Sequence, residues 1–218
     1  MATEKRLNNI FLSASIPSPD RDRRFYDTAD IIAIRDAVKA LASVVIPNAN
    51  LIWGGHPSIT PLIKHVLEQT NIDVNEHMIL YQSLFLEDEF IKDNSTFRNI
   101  IFTPKQKTHK ESIDSMRLKM IGENMFSVGV FIGGMEGIFD EYKLFKEKHP
   151  GALIIPLAST GGASRILCEE IQFEHKERLI NDYAYMVYIT IEKYTIFQLK
   201  SIPVLIVCED KKSYLNAG

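Results

Sequence analysis

Two stretches of the chain join glycine pairs to polar side chains in the order that anion binding needs: Gly54-Gly55-His56-Pro57-Ser58 with Thr60 close behind, and Gly133-Gly134-Met135-Glu136-Gly137. Glycine adopts φ > 0 and lets the backbone approach a phosphate with no Cβ in the way. Ser58 and Thr60 would add hydroxyl donors where a helix starts and its dipole favours negative charge. The same residues also suit a plain strand-to-helix turn, with His56 as a turn or capping residue before Pro57. The second stretch is more specific. It ends the most apolar segment of the chain and leads into Glu136, Asp140 and Glu141. Carboxylates there either cap a helix, hydrogen-bond ribose hydroxyls, or stabilise the positive charge that develops at an anomeric carbon when an N-glycosidic bond stretches. A third loop, Thr160-Gly161-Gly162, follows the same logic, and Ser13 and Ser15 close a short apolar run near the N-terminus.

The elements that must position these loops are legible in the spacing of apolar residues. Asn9 to Ser15 reads as a buried first strand that carries Ser13 and Ser15 at its C-terminal edge. A polar loop with Pro17, Pro19 and the basic cluster Arg21, Arg23 and Arg24 ends where Thr28 can cap a helix. Ile31, Ile34, Val38, Leu41 and Val45 recur at spacings of three and four, which predicts one buried stripe. Leu51 to Trp53 then forms a strand, the first glycine turn follows, and Ile59, Leu62, Ile63, Val66 and Leu67 mark the next helix. Strands are predicted at Met78–Ser83, Asn99–Thr103, Ser127–Ile132 and Ala152–Leu157. Helices are predicted at Lys110–Asn124, with Met116 inward, and from about Glu136 to Lys148. Met125 and Met135 read as packing residues, and 105–110 as a solvated basic loop. This alternation is that of an α/β Rossmann-like three-layer domain with a mainly parallel sheet flanked by helices, and such sheets bind ligands outside the carboxyl ends of their strands. Beyond Ile166 the pattern weakens. Tyr183 to Phe197 favours a helix, and Pro203 to Cys208 fits either a strand or an apolar self-association patch.

Composition bounds the function classes. The 218 residues suit a single domain spanning 1–218, and 45% hydrophobic with 24% charged residues is what a packed globular protein shows. A formal net charge of −3, from 25 basic and 28 acidic residues, provides no field for an extended nucleic-acid or membrane surface. Phosphate would therefore be bound locally. The polar segment 1–6 and the absence of any apolar run near the ~20 residues of a membrane span predict a cytoplasmic protein. Cys168 and Cys208 lack metal-ligand spacing and read as reduced thiols. Neither a metal nor a cofactor is expected.

The strand Ile10 to Ser15, the segment Trp53 to Pro61, Met116-Arg117, and Phe131 to Gly137 continuing through Glu141 resemble the SLOG superfamily. This Rossmann-like group includes the Lonely Guy phosphoribohydrolases, the DNA-processing protein DprA and nucleotide-sensing domains of prokaryotic defence systems. The resemblance runs from about Ile10 to Leu167, with 168–218 as a helical extension. It implies a domain that senses a nucleotide or nucleotide-derived signal, cyclic or ADP-ribose-related, in antiviral or stress signalling. It further implies a homo-oligomer, dimeric or larger, which passes the signal to a separate effector protein. The alternative it implies is a hydrolase of the N-glycosidic bond, with Arg117 holding phosphate and Glu141 or Asp140 at the ribose. The Lonely Guy motif Gly-Gly-x-Gly-Thr-x-x-Glu is altered here. Its threonine is missing, and its glutamate falls on Asp140 without a gap or on Glu141 with one inserted residue. That change touches catalysis more than binding.

Overall fold

The computed structural model describes residues 8–70, 75–171 and 176–181, together with Tyr183 and Tyr185. In chain order the elements are β1 (Asn9–Ser15), α1 (Arg23–Tyr26), α2 (Ile31–Val45), β2 (Asn50–Trp53), α3 (Thr60–Gln69), β3 (Met78–Ser83), β4 (Asn99–Thr103), α4 (His109–Gly122), β5 (Phe126–Gly133), α5 (Gly137–Lys148), β6 (Leu153–Leu157), α6 (Gly162–Glu170) and α7 (Lys176–Asn181). The strands form one six-stranded sheet in the order β4-β3-β2-β1-β5-β6, and every pairing is parallel. The sheet grows outward from β1 to β4 and then resumes on the other side of β1 with β5. The order therefore reverses beside β1, and a crevice opens where the neighbouring loops diverge.

Alternate residues of each strand feed two cores, as the period of a pleated strand requires. Leu12, Leu51, Trp53, Leu80 and Val130 pack under α2 and α3. Phe11, Ile52, Tyr81 and Phe131 pack under α4, α5 and α6, where the Phe145 ring stacks on Phe11 at 5.4 Å. This is the predicted three-layer arrangement.

Several local expectations are corrected. Asp30, not Thr28, caps α2, accepting from the Ala33 N–H at 2.9 Å. The Thr28 hydroxyl accepts instead from the Gly162 N–H at 3.2 Å. Ile31 sits in the first turn of α2 and is 41% exposed, because the buried stripe starts only at Ala33 and Ile34. Met125 is 72% exposed in the turn before β5 rather than packed. Lys110 belongs to α4, whose Thr108 and Glu111 form a reciprocal capping box, so the helix starts one residue earlier than apolar spacing alone suggested. The acidic stretch after β3 winds into two 3₁₀ turns, Leu84–Glu89 and Lys92–Thr96. Apart from Tyr183 and Tyr185, the helix expected over Tyr183–Phe197 and the apolar run Pro203–Cys208 lie outside the described residues.

Candidate functional site

A cleft of about 590 Å³ opens at the carboxyl ends of β1, β2 and β3. Its floor is the ends of these strands, and its walls are the 84–94 segment and the first turns of α4 and α5. Of the residues singled out from sequence, Ser13, Ser15, Gly54, Gly55, His56, Arg117, Met135, Glu136, Gly137, Asp140 and Glu141 line it. The fold thus gathers residues more than a hundred positions apart.

Ser58, Thr60, Gly133, Gly134, Thr160, Gly161 and Gly162 do not line the cleft, and their bonds explain why. The Thr60 hydroxyl accepts from the Trp53 indole N–H at 3.2 Å. The Ser58 hydroxyl lies 2.8 Å from the His56 Nδ1 and accepts from the Ile16 N–H. Gly133 donates its N–H to the Thr160 hydroxyl at 2.9 Å, and Gly134 donates to the Ser15 carbonyl at 2.8 Å. Ala163 donates in turn to the Gly134 carbonyl at 2.9 Å. The third loop therefore buttresses the second. At Gly133 the backbone has φ +58°, and an added Cβ would lie 2.9 Å from the Ser15 carbonyl oxygen and 2.5 Å from Ile34. This glycine pair lets β5 turn sharply into α5; its own amides are already spent inside the protein. In this loop it is the next three amides, of Met135, Glu136 and Gly137 at the start of α5, that have no hydrogen-bond partner among the described residues.

Beside that helix start lies the most tightly bonded polar group of the cleft. Arg117, on α4, donates from Nε to Glu141 Oε1 at 3.2 Å, from Nη1 to Asp140 Oδ2 at 3.2 Å and from Nη2 to the Gly137 carbonyl at 3.3 Å. The other Glu141 oxygen accepts from the Ser13 hydroxyl at 2.5 Å. The side chains of Arg117 and Glu141 are 14% and 16% exposed, whereas Asp140 is 56% exposed. Of the two acids left open by the motif's register, Glu141 is thus the one turned inward. Both of its carboxylate oxygens accept hydrogen bonds, one from the guanidinium and one from the Ser13 hydroxyl. Gly137 permits the arrangement, since a Cβ there would lie 2.5 Å from Arg117 Nη2.

Across the cleft, Arg21 from the β1–α1 loop reaches over to pair with Glu136 at the start of α5. The pKa of His56 is lowered, first by desolvation and then by the Arg21 charge, so the ring favours its neutral form. The Ser58 N–H points to His56 Nδ1 at 3.3 Å, which leaves the proton on Nε2.

Comparison with known families decides the lineage: residues 24–191, more than half of the chain, match the SLOG cluster3 family. The chain belongs to that family. Nine chains of solved structures match this SLOG cluster3 protein. Among them, the X-ray structure of TM1055, a structural genomics target, aligns with a TM-score of 0.56 at 13% identity and covers 85% of this chain and 99% of that chain. At that identity the likeness supports the fold alone. No curated protein sequence matches this SLOG cluster3 protein.

The cleft of this SLOG protein also uses residues that pattern reading missed. Arg21 was visible only as one of a basic cluster, and nothing local marks it as the member that crosses the cleft. Gln82 and Asn94 lie in the cleft although 5% and 7% exposed. Gln82 lies one residue before the end of β3, a strand whose polar tip was a readable signal. Asn94 sits in an irregular segment that carries none. Among the described residues no group of three His, Cys, Asp or Glu could hold a metal ion, and no helix is long and apolar enough to cross a membrane.

Proposed function

We propose that the cleft binds a nucleotide-derived ligand, such as a cyclic or ADP-ribose-related nucleotide, and reports its presence in antiviral or stress signalling. The observation that carries this reading is the pairing of the fixed Glu141 carboxylate with unpaired amides at the start of α5. An ionised carboxylate accepts from ribose hydroxyls, and free N–H groups at a helix start receive a phosphate. Arg21 would then exchange Glu136 for the ligand's negative charge. The cleft is otherwise rich in acid, with Glu89, Asp114, Asp140 and Glu141 facing Lys110 and Arg117. Such a lining favours a ligand that brings many hydroxyl donors and places its negative charge at one point. Occupancy passes through a homo-oligomer to a separate effector protein.

Hydrolysis is the second reading, because Ser13 and Arg117 hold Glu141 where it would stabilise charge at an anomeric carbon. Binding without cleavage is preferred on chemical grounds. Glu141 accepts at both oxygens and His56 favours its neutral form, so neither brings a proton to a departing base. Thermal melting of the wild type and Glu141→Gln with a panel of nucleoside monophosphates, NAD derivatives and cyclic oligonucleotides tests the proposal. At least one compound should raise the wild-type melting temperature and raise that of Glu141→Gln less. A panel in which none does so would overturn the reading.

A further inference from the structure

Where β3 and the 84–94 segment meet, the cleft holds a polar pair with one bond left open. The Asn94 Nδ2 donates to Gln82 Oε1 at 3.3 Å, and Gln82 Nε2 donates to the Gly55 carbonyl at 3.2 Å. The chain of bonds stops there. Asn94 Oδ1 has no hydrogen-bond partner among the described residues, although its residue is only 7% exposed and lines the cleft. A buried acceptor left unpaired is costly, so a native protein keeps one where something completes it. Leu86 and Phe90 form an apolar wall of the same cleft, and the Phe90 ring is held by Phe102 at 6.0 Å. A flat ring with a polar edge fits such a place: its faces meet Leu86 and Phe90, and its edge meets the amide.

Distance agrees with this. Gln82 lies on β3 and Ser13 on β1, separated by β2, which at the usual strand spacing puts their backbones roughly 10 Å apart, with the two side chains meeting the cleft from opposite faces of the sheet. A nucleoside whose ribose reaches Glu141 would extend its base toward Gln82 and Asn94.

We infer that Asn94, oriented by Gln82, reads the edge of a nucleobase and selects one that carries an exocyclic amino group. Asn94 Oδ1 accepts an amino N–H, as asparagine does when it recognises adenine. An oxo group at the same position would set lone pair against lone pair and leave both acceptors unpaired. The oxygen is closed off from solvent in this conformation, so the amide must rotate slightly as the base enters. The assignment rests on the nucleotide reading of the cleft and adds to it the class of base.

Calorimetric titration with adenosine, inosine, cytidine and uridine monophosphates tests the inference. The wild type should bind the amino-bearing member of each pair about tenfold or more tightly than its oxo partner. Asn94→Leu should bring the two close to equal, whatever it does to affinity overall. Equal binding of amino and oxo partners by the wild type would overturn the base assignment and leave nucleotide binding intact; this comparison needs no variant. Retention of the preference in Asn94→Leu would also overturn it. Failure of all four compounds to bind would overturn the base assignment, and it would overturn the nucleotide reading with it where the NAD derivatives and cyclic oligonucleotides also fail to raise the melting temperature.

Discussion

The chemistry of the cleft turns on one ion pair. Arg117 and Glu141 come from different helices and are both largely withdrawn from water, so each depends on the other for compensation. Replacing Arg117 by Met keeps much of the side-chain volume but leaves the Glu141 carboxylate with only the Ser13 hydroxyl. That should cost about 3 kcal/mol of stability, toward the lower end for breaking a buried pair. Arg117→Met combined with Glu141→Gln removes the stranded charge and should lose clearly less than the single variant. Urea unfolding of the four proteins in the cycle measures this, and simple additivity would mean that the two residues are not coupled. The roles of these residues were only partly legible in the sequence. Motif register pointed equally to Asp140 and Glu141, because one inserted residue in a helix start cannot be located by counting. Burial separates the two, and burial depends on where α4 packs.

At the scale of elements, strand order and the longer helices were legible across 9–157, because apolar periodicity is dictated by which faces a parallel sheet must cover; the single-turn α1 (Arg23–Tyr26) lies in a stretch that reads as a polar loop, since four residues are too few to show a period. What stayed hidden was the division of labour among the loops. Gly133-Gly134, Gly161-Gly162 and Thr160 share the composition of an anion cradle, yet their donors are consumed in joining two loops to each other. Composition reveals which backbone shapes are allowed, whereas hydrogen-bond bookkeeping between distant loops arises only in the folded chain. A consequence follows for Gly161, which has φ +71° and whose added Cβ would collide with the backbone carbonyl of Thr28. Gly161→Ala should lower stability by about 1–3 kcal/mol, the range for a residue forced into a rare backbone region. The loss should appear without ligand and should exceed any change in the affinity of the folded fraction. Thermal melting with and without a bound nucleotide measures both, and a variant that melts like the wild type would contradict the buttress role.

For the molecule as a whole, the six-stranded parallel sheet of this SLOG cluster3 protein indicates where a ligand should sit: beside β1, where the strand order reverses. The cleft found there is lined by residues from each half of the sheet, and its size is within the ~300–1,000 Å³ of small-molecule sites. The whole fold thus serves to bring Ser13, Arg117 and Glu141 to one point and to leave the start of α5 open. In the proposed function this arrangement holds a nucleotide-derived ligand and returns it intact. The most direct measurement is chromatography of a compound that stabilises the wild type, recovered after long incubation in excess over protein. The compound should be recovered unchanged. Free base or ribose phosphate in more than stoichiometric yield, abolished in Glu141→Gln, would contradict it.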